Sequence, residues 1–261
     1  MATLAARKLC FSYQHKPVLA EVELEFQGGV TALLGPNGSG KTTLLKLLLG
    51  LLKPSKGEVL LDGRELSGMG HREVAQRMAY VPQIHREAFA YKVEDVVLMG
   101  RMPHASFFSP YSRRDLAEAH EAMDRLGILH LAQRPYTQVS GGERQLALIA
   151  RAMTQGAQLF IMDEPTNGLD YGNQIRLLER LQTLAQDGFG FIFSTHHPDH
   201  ALSVADRVVM INQGRVLRDG SADAISPQSL EEIYGVDVRL FDVQGGVRVC
   251  VPALRLKPIA C

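Results

Sequence analysis

The chain has few cysteines, and they form no recognisable pair. Three occur in 261 residues, at Cys10, Cys250 and Cys261. An odd number at wide spacing, without a C-x-x-C pair, suggests neither a disulfide framework nor a zinc site. We therefore expect free thiols in a reducing compartment.

The sequence also lacks an excess of either charge. Its 28 Lys and Arg residues are balanced by 28 Asp and Glu residues, so the formal net charge is zero. Nucleic-acid-binding domains usually carry an excess of positive charge. We therefore expect no nucleic-acid partner.

Long apolar runs are absent from the sequence as well. The most apolar segment, 44–52, is short and contains Lys46, whereas a membrane-spanning helix needs about 20 apolar residues. The first residues show no apolar run leading to a cleavage site, so we expect no signal peptide. If the protein works at a membrane, we expect it to act from outside the lipid, with a partner in it.

Strand-like and helix-like segments alternate along most of the chain. Runs such as 30–34 are almost wholly apolar, as is typical of strands that are buried on both faces. This alternation predicts an α/β fold around a mainly parallel sheet. The predicted strands are 30–34, 57–61, 78–81, 159–162, 191–194 and 208–211, and the predicted helices are 42–52, 71–78, 142–155, 171–187 and 198–205.

Three segments are predicted to add to this core. Residues 3–13 and 21–26 form an N-terminal antiparallel β subdomain, because apolar residues alternate with glutamates in the second strand. Residues 84–155 form an inserted helical subdomain, in which Leu116, Ala119, Met123 and Leu126 recur at helical spacing. Residues 221–261 form a small appendage with a helix at 227–234, strands at 236–243 and 247–251, and a turn at 244–246.

Residues 35–42 fit the pattern G-x-x-x-x-G-K-[ST]. Glycines let the backbone point N–H groups at phosphate oxygens, and the helix that follows adds its positive N-terminal dipole. In this pattern the lysine reaches the β- and γ-phosphates and the threonine hydroxyl coordinates Mg²⁺. The sequence thus predicts an ATP and Mg²⁺ site formed by Gly35, Pro36, Asn37, Gly38, Ser39, Gly40, Lys41, Thr42 and Thr43.

Two further motifs extend this site. The apolar run 159–162 ends in Asp163 and Glu164, which a buried strand would deliver to the ligand-binding edge of the sheet. There Asp163 would hold Mg²⁺ and Glu164 would polarise the attacking water. The segment 139–145, Val-Ser-Gly-Gly-Glu-Arg-Gln, precedes a helix and is a second candidate anion site, although one nucleotide needs only one such cradle.

In combination and in this order, the motifs resemble the ATP-binding-cassette (ABC) ATPase family over roughly residues 3–220. The resemblance implies a P-loop NTPase core at 1–220 that hydrolyses ATP to ADP and phosphate. It also implies roles for single residues. Glu164, His196 and Gln83 would be catalytic, with His197 as a rival for His196. Thr42, Gln83 and Asp163 would bind Mg²⁺, and Tyr13, or else Phe11, would stack on adenine.

The resemblance further implies a head-to-tail homodimer that holds two ATP molecules between its subunits. Departures from the usual motifs, at Val139, Glu143 and 167–170, leave the turnover rate open. The residues that would face the ATP of the opposing subunit are Ser140, Gly141, Gly142, Glu143 and Asp170.

The segment 84–104 ends in Gly-Arg-Met-Pro-His and is similar to that of importers for metal chelates, among them iron–siderophores, haem and cobalamin, and sometimes molybdate. This implies that about 83–104 contacts two transmembrane permease subunits at the cytoplasmic face of the cell membrane. An external binding protein would deliver the cargo, whose identity stays open. A soluble ATPase acting on ribosomes or DNA and an exporter motor remain the alternatives.

Overall fold

The computed structural model describes residues 2–82, 91–104, 111–243 and 247–253. Its strands are β1 (Thr3–Tyr13), β2 (Lys16–Gln27), β3 (Gly29–Leu34), β4 (Lys56–Leu61), β5 (Arg64–Glu65), β6 (Met78–Val81), β7 (Leu159–Met162), β8 (Gly190–Thr195), β9 (Arg207–Asn212), β10 (Arg215–Gly220), β11 (Val238–Val243) and β12 (Val247–Pro252). Its helices are α1 (Lys41–Leu48), α2 (His71–Ala75), α3 (Val93–Leu98), α4 (Arg113–Arg125), α5 (Gly141–Thr154), α6 (Tyr171–Gln186), α7 (Pro198–Val204) and α8 (Pro227–Tyr234).

The central sheet has six strands in the order β10-β9-β3-β8-β7-β6. Every neighbouring pair is parallel except β9 and β10, which are joined by a short turn. Because parallel strands end at one edge, the carboxyl ends of β3, β7 and β8 lie side by side. The predicted phosphate loop, the Asp-Glu pair and His196 each follow one of these strands.

The N-terminal sheet is antiparallel, in the order β2-β1-β4-β5. Alternate residues of β2, such as Val22 and Leu24, are buried against α1, while the glutamates between them face outward. The inserted helices α3, α4 and α5 pack on each other on the other side of the core. The predicted α/β fold class, with its parallel core, antiparallel N-terminal sheet and inserted helices, is confirmed.

Several predicted boundaries were wrong for local reasons. Helix α1 ends at Leu48 rather than at 52, because Gly50 takes a left-handed conformation with φ of 70°. Strand β2 begins at Lys16 instead of 21, and α2 ends at Ala75 instead of 78. Strand β10 was not predicted at all, since its sequence is largely polar and it lies at the edge of the sheet.

The C-terminal elements share the main core. Leu230 and Ile233 of α8 and Val238 of β11 belong to the same buried cluster as β3, β7 and β8. Strands β11 and β12 form a separate two-stranded sheet that packs on α7. Some predictions lie outside the described residues: those for Gln83, for the segment 84–90, for the turn at 244–246 and for the end of the appendage with Cys261.

Candidate functional site

The loop between β3 and α1 requires glycine at its two ends. A Cβ at Gly35 would collide with the carbonyl oxygen of Ile211. Gly40 has φ of 107°, and a Cβ there would lie 2.8 Å from Leu19 Cδ2. Only glycine combines this backbone conformation with such close packing. The loop is therefore held tightly between β9 and the antiparallel sheet, with the N-terminus of α1 beyond it.

Lys41 is the first residue of α1, and its side chain folds back onto the preceding loop. Its Nζ donates hydrogen bonds to the carbonyl oxygens of Gly35, at 2.7 Å, and Pro36, at 3.0 Å. Burial lowers the pKa of this ammonium, and the carboxylates of Glu164 and Asp163 act in the opposite direction. The positive charge is thus held at the mouth of the loop, facing two acids.

A chain of hydrogen bonds joins the ends of three elements. Thr42 Oγ1 donates to Asp163 Oδ1 at 3.1 Å. Ser194 Oγ, at the end of β8, donates to the same carboxylate oxygen at 2.7 Å and accepts from the backbone N–H of Glu164 at 2.9 Å. Ser194 is completely buried. It therefore fixes the two acids relative to each other, a role that the sequence alone did not suggest.

Glu164 has an unusual backbone conformation and a histidine partner. Its φ is 44°, in the left-handed region that non-glycine residues rarely adopt. Its Oε1 lies 3.0 Å from His196 Nδ1. The rings of His196 and His197 lie against each other, with centroids 4.0 Å apart, and burial lowers the pKa of His197. Of the two rival histidines, His196 thus makes the contact with Glu164.

The residues present fit a nucleotide with Mg²⁺. Within the described residues, the buried hydroxyl of Ser39 has no hydrogen-bond partner, as expected for a donor that awaits a phosphate oxygen. Thr42 and Asp163 supply a hydroxyl and a carboxylate oxygen. Mg²⁺ prefers such oxygen ligands and commonly takes one or two from the protein while phosphates supply others.

The predicted second anion site begins helix α5. Ser140 Oγ accepts from the backbone N–H of Glu143, and the Glu143 carboxylate accepts from the backbone N–H of Ser140 at 2.7 Å. This reciprocal pair is a capping box. These hydrogen bonds lower the pKa of Glu143, so it remains charged at the helix N-terminus.

The segment 139–145, which we call the signature segment, also lies beside Asp170. A Cβ at Gly142 would lie 2.8 Å from the side chain of Asn173. Asn173 in turn donates to both carboxylate oxygens of Asp170, at 2.9 and 2.7 Å. Ser140, Gly141 and Asp170 are exposed. Gly142 is buried beneath them. The structure therefore brings the residues predicted to face an opposing subunit close together, and Asn173, which sequence reasoning missed, connects them.

Tyr13 lies at the end of β1, 47% exposed, with Phe11 edge-on beside it at a ring centroid distance of 4.9 Å. The two aromatic candidates thus form a pair, of which Tyr13 is the more exposed. Thr43 is buried in α1. Gln83 lies outside the described residues, so its place in the site stays a prediction.

Three residues of the segment 100–104, which resembles that of metal-chelate importers, contact the C-terminal end of helix α5. Arg101 pairs with Asp115 at 2.8 Å and donates to the carbonyl oxygen of Thr154 at 3.1 Å. His104 Nε2 lies 2.8 Å from the carbonyl oxygen of Gln155. Gly100 allows the close approach, because a Cβ there would collide with the carbonyl oxygen of Arg151. We call these residues, Gly100, Arg101 and His104, the α5 clamp.

Comparisons with known proteins agree with these features. A family model described as ABC transporter matches residues 19–167. An uncharacterized ABC transporter ATP-binding protein of Haemophilus influenzae is 40% identical over 233 residues, or 88% of this chain and 89% of the relative. The molybdate import ATP-binding protein MolC of the same organism is 36% identical over 235 residues, or 88% and 87% of the two chains.

Solved structures give the same result. A chain described as a metal-chelate type ABC transporter in an inward-facing conformation is 32% identical, with a TM-score of 0.86. The likeness covers 97% of this chain and 98% of that one. The matches span the phosphate loop, the signature segment and the Asp163–Glu164 pair. This chain therefore belongs to the ABC transporter family, as one of its ATP-hydrolysing subunits.

Proposed function

We propose that this chain drives an importer for a metal chelate or an oxyanion such as molybdate, through separate membrane subunits. The observation that carries the proposal is the likeness to a metal-chelate type transporter over nearly the whole of both chains. The likeness to a molybdate import protein supports the oxyanion alternative within the same class. The chain would work at the cytoplasmic face of the cell membrane.

The site geometry supports a specific division of roles in hydrolysis. Thr42 and Asp163 would hold Mg²⁺, which supplies charge neutralisation at the phosphates when bound. Lys41 and the loop N–H groups would bind the phosphate oxygens. Glu164 would accept a proton from the attacking water, and His196 would orient the Glu164 carboxylate through their 3.0 Å contact. Gln83 would complete the site, and Tyr13 would stack on adenine.

The active form would be a homodimer in which two ATP molecules lie between the subunits. The support is the shared surface of the capped α5 N-terminus and Asp170, both exposed in a single chain. A second copy would bring its own phosphate loop to this surface. Lone chains would then bind ATP but hydrolyse it slowly.

A groove beside the central sheet suits the membrane subunits. It has a volume of about 370 Å³ and lies between the core and helix α5. Its lining mixes apolar side chains such as Leu51 and Val74 with His71 and Arg151, and it includes Pro82, next to Gln83. The described part of the predicted contact region reaches this lining through His104, whose Nε2 lies 2.8 Å from the carbonyl oxygen of Gln155. No helix of the described ranges has the length and apolar character of a membrane span.

The proposal is tested by purifying the chain together with membrane subunits encoded beside it and reconstituting them in vesicles. We expect ATP-dependent uptake of a metal chelate or molybdate when the matching binding protein is present, and ATPase activity that this cargo stimulates. Copurification with ribosomes or DNA, or transport in the outward direction, would contradict it.

The catalytic assignment has its own test in Glu164→Gln. This substitution keeps the shape of the side chain and removes the proton acceptor. We expect ATP binding and dimer formation to persist while hydrolysis falls by at least about 100-fold. Glu179→Gln, the same loss of one negative charge at an exposed position of α6, is the matched control. Normal turnover in Glu164→Gln would show that Glu164 is not the base.

A further inference from the structure

Helix α8, at the start of the C-terminal segment, reaches the turn that carries His196. The last residue of this helix is Tyr234, and its hydroxyl donates a hydrogen bond to the backbone carbonyl oxygen of His196 at 3.0 Å. Leu230 and Ile233 anchor α8 in the main core, and Gly235 ends it in a left-handed conformation. The tyrosine is thus delivered by a well-packed helix and not by a loose tail.

This hydrogen bond is one of two that hold the same peptide group. The carbonyl of the peptide between His196 and His197 accepts from Tyr234, and its N–H donates to Thr195 Oγ1 at 3.0 Å. With both ends held, the plane of this peptide cannot rotate freely. The backbone direction from which the His196 side chain projects is then fixed. That side chain makes the 3.0 Å contact with Glu164.

A second contact from the C-terminal segment holds the next residues. The backbone N–H of Cys250, in β12, donates to Asp199 Oδ1 at 2.8 Å. Asp199 lies in the first turn of α7, which begins at Pro198. The turn from His196 to α7 is therefore held at both of its ends by elements of the C-terminal segment.

The tyrosine hydroxyl is suited to act as a permanent donor. Burial of the ring raises the pKa of Tyr234, so the hydroxyl keeps its proton throughout the range in which proteins work. Its acceptor is a backbone carbonyl, which does not titrate. The contact is therefore a fixed geometric restraint.

We propose that Tyr234 is a positioning residue for ATP hydrolysis, which holds His196 against Glu164 through the carbonyl of the His196–His197 peptide. The inference rests on the proposed catalytic roles of His196 and Glu164. It gives the C-terminal segment, which the sequence predicts only as a small appendage, a part in the proposed hydrolysis site.

The test compares Tyr234→Phe with Tyr111→Phe in the full chain. Both substitutions remove one phenolic hydroxyl, but Tyr111 is exposed and lies on the helical subdomain. We expect kcat to fall about five-fold in Tyr234→Phe, the usual effect of one lost hydrogen bond, with the Kd for ATP unchanged. Tyr111→Phe should match the parent chain.

Two readouts separate positioning from general stabilisation. In a His196→Ala background, Tyr234→Phe should cause no further loss of kcat, because the side chain that it positions is gone. The ring-nitrogen NMR signals of His196, identified by their loss in His196→Ala, should shift in Tyr234→Phe and not in Tyr111→Phe.

The opposite results would overturn the inference. These are an unchanged kcat or unchanged His196 signals in Tyr234→Phe, or the same fold-loss in both backgrounds. Normal hydrolysis by His196→Ala would instead remove the proposed role of His196 itself, so the two failures can be told apart.

Discussion

Replacing Ser194 by alanine should separate the two acids of the hydrolysis site. The Ser194 hydroxyl bridges them, donating to Asp163 and accepting from the backbone N–H of Glu164. The side chain is fully buried, so water does not readily take its place. Alanine therefore leaves a carboxylate oxygen and a strained peptide N–H each short of one partner.

The expected cost follows from these two hydrogen bonds. A bond to a charged carboxylate contributes about 1.5–3 kcal/mol, and a neutral one about 1 kcal/mol. We therefore expect Ser194→Ala to lower the free energy of unfolding by about 3 kcal/mol. In a chain of this size that corresponds to a fall in Tm of about 6–12 °C. Because Ser194 also fixes a proposed Mg²⁺ ligand, ion affinity or kcat should fall about 10- to 100-fold.

The assay is ATPase activity titrated with Mg²⁺, together with thermal melting. Ser203→Ala is the matched control, because it removes a serine hydroxyl that also donates one hydrogen bond, to the backbone carbonyl of Asp199 at 2.6 Å, but is exposed. The control should keep its Tm, its kcat and its half-saturating Mg²⁺ concentration. If Ser194→Ala kept all three as well, the bridge would have no part in the site.

Three further predictions concern the signature, the α5 clamp and pH. Glu143→Gln keeps a capping oxygen and removes one negative charge from the surface that would face the ATP of a partner subunit. ATP-induced dimers should therefore form at a several-fold lower ATP concentration in sedimentation runs, and unchanged dimerisation would contradict this. Gly100→Ala should destabilise the fold by about 1–3 kcal/mol in denaturant titrations because its Cβ collides with α5, whereas Gly70→Ala, where the Cβ meets open space, should not. Burial lowers the pKa of His200 to about 4, from about 6.5 in the unfolded chain. As the pH falls from 6.5 towards 4, only the unfolded chain binds this proton, so the free energy of unfolding decreases in that window. His200→Asn should flatten this part of the plot of unfolding free energy against pH, and an unchanged slope would refute the assignment.

The parts of the site that the sequence predicted are those that short segments determine. The loop 35–42 and the acids after 159–162 are local patterns, in which residue spacing alone predicts which groups would meet the phosphates of a nucleotide. The bridge at Ser194 was not predictable in this way. It joins residues about 30 positions apart, and only the pairing of β7 with β8 brings them together.

For other residues, the contacts in the structure change the role that the sequence predicted. Glu143 was noted as a departure from the usual signature, yet it completes the capping box of α5. Arg101 and His104 were assigned to a permease contact, yet their side chains bind the carbonyl oxygens at the other end of that helix. A polar or charged residue in a motif can serve either a ligand or a nearby helix end, and residue spacing does not distinguish the two.

Each end of helix α5 is fixed by hydrogen bonds. One end lies at the proposed dimer interface and the other at the groove proposed for the membrane subunits. Its N-terminus carries the capped signature segment. At its other end Arg151, together with Gln155 just after the helix, lines the groove proposed for the membrane subunits. With 14 residues, the helix spans about 21 Å at about 1.5 Å per residue. The α5 clamp ties its groove end to the preceding segment through Arg101 and His104. In the proposed dimer, this helix would connect the groove with the ATP-binding interface, and any coupling between the two would be reciprocal in free energy.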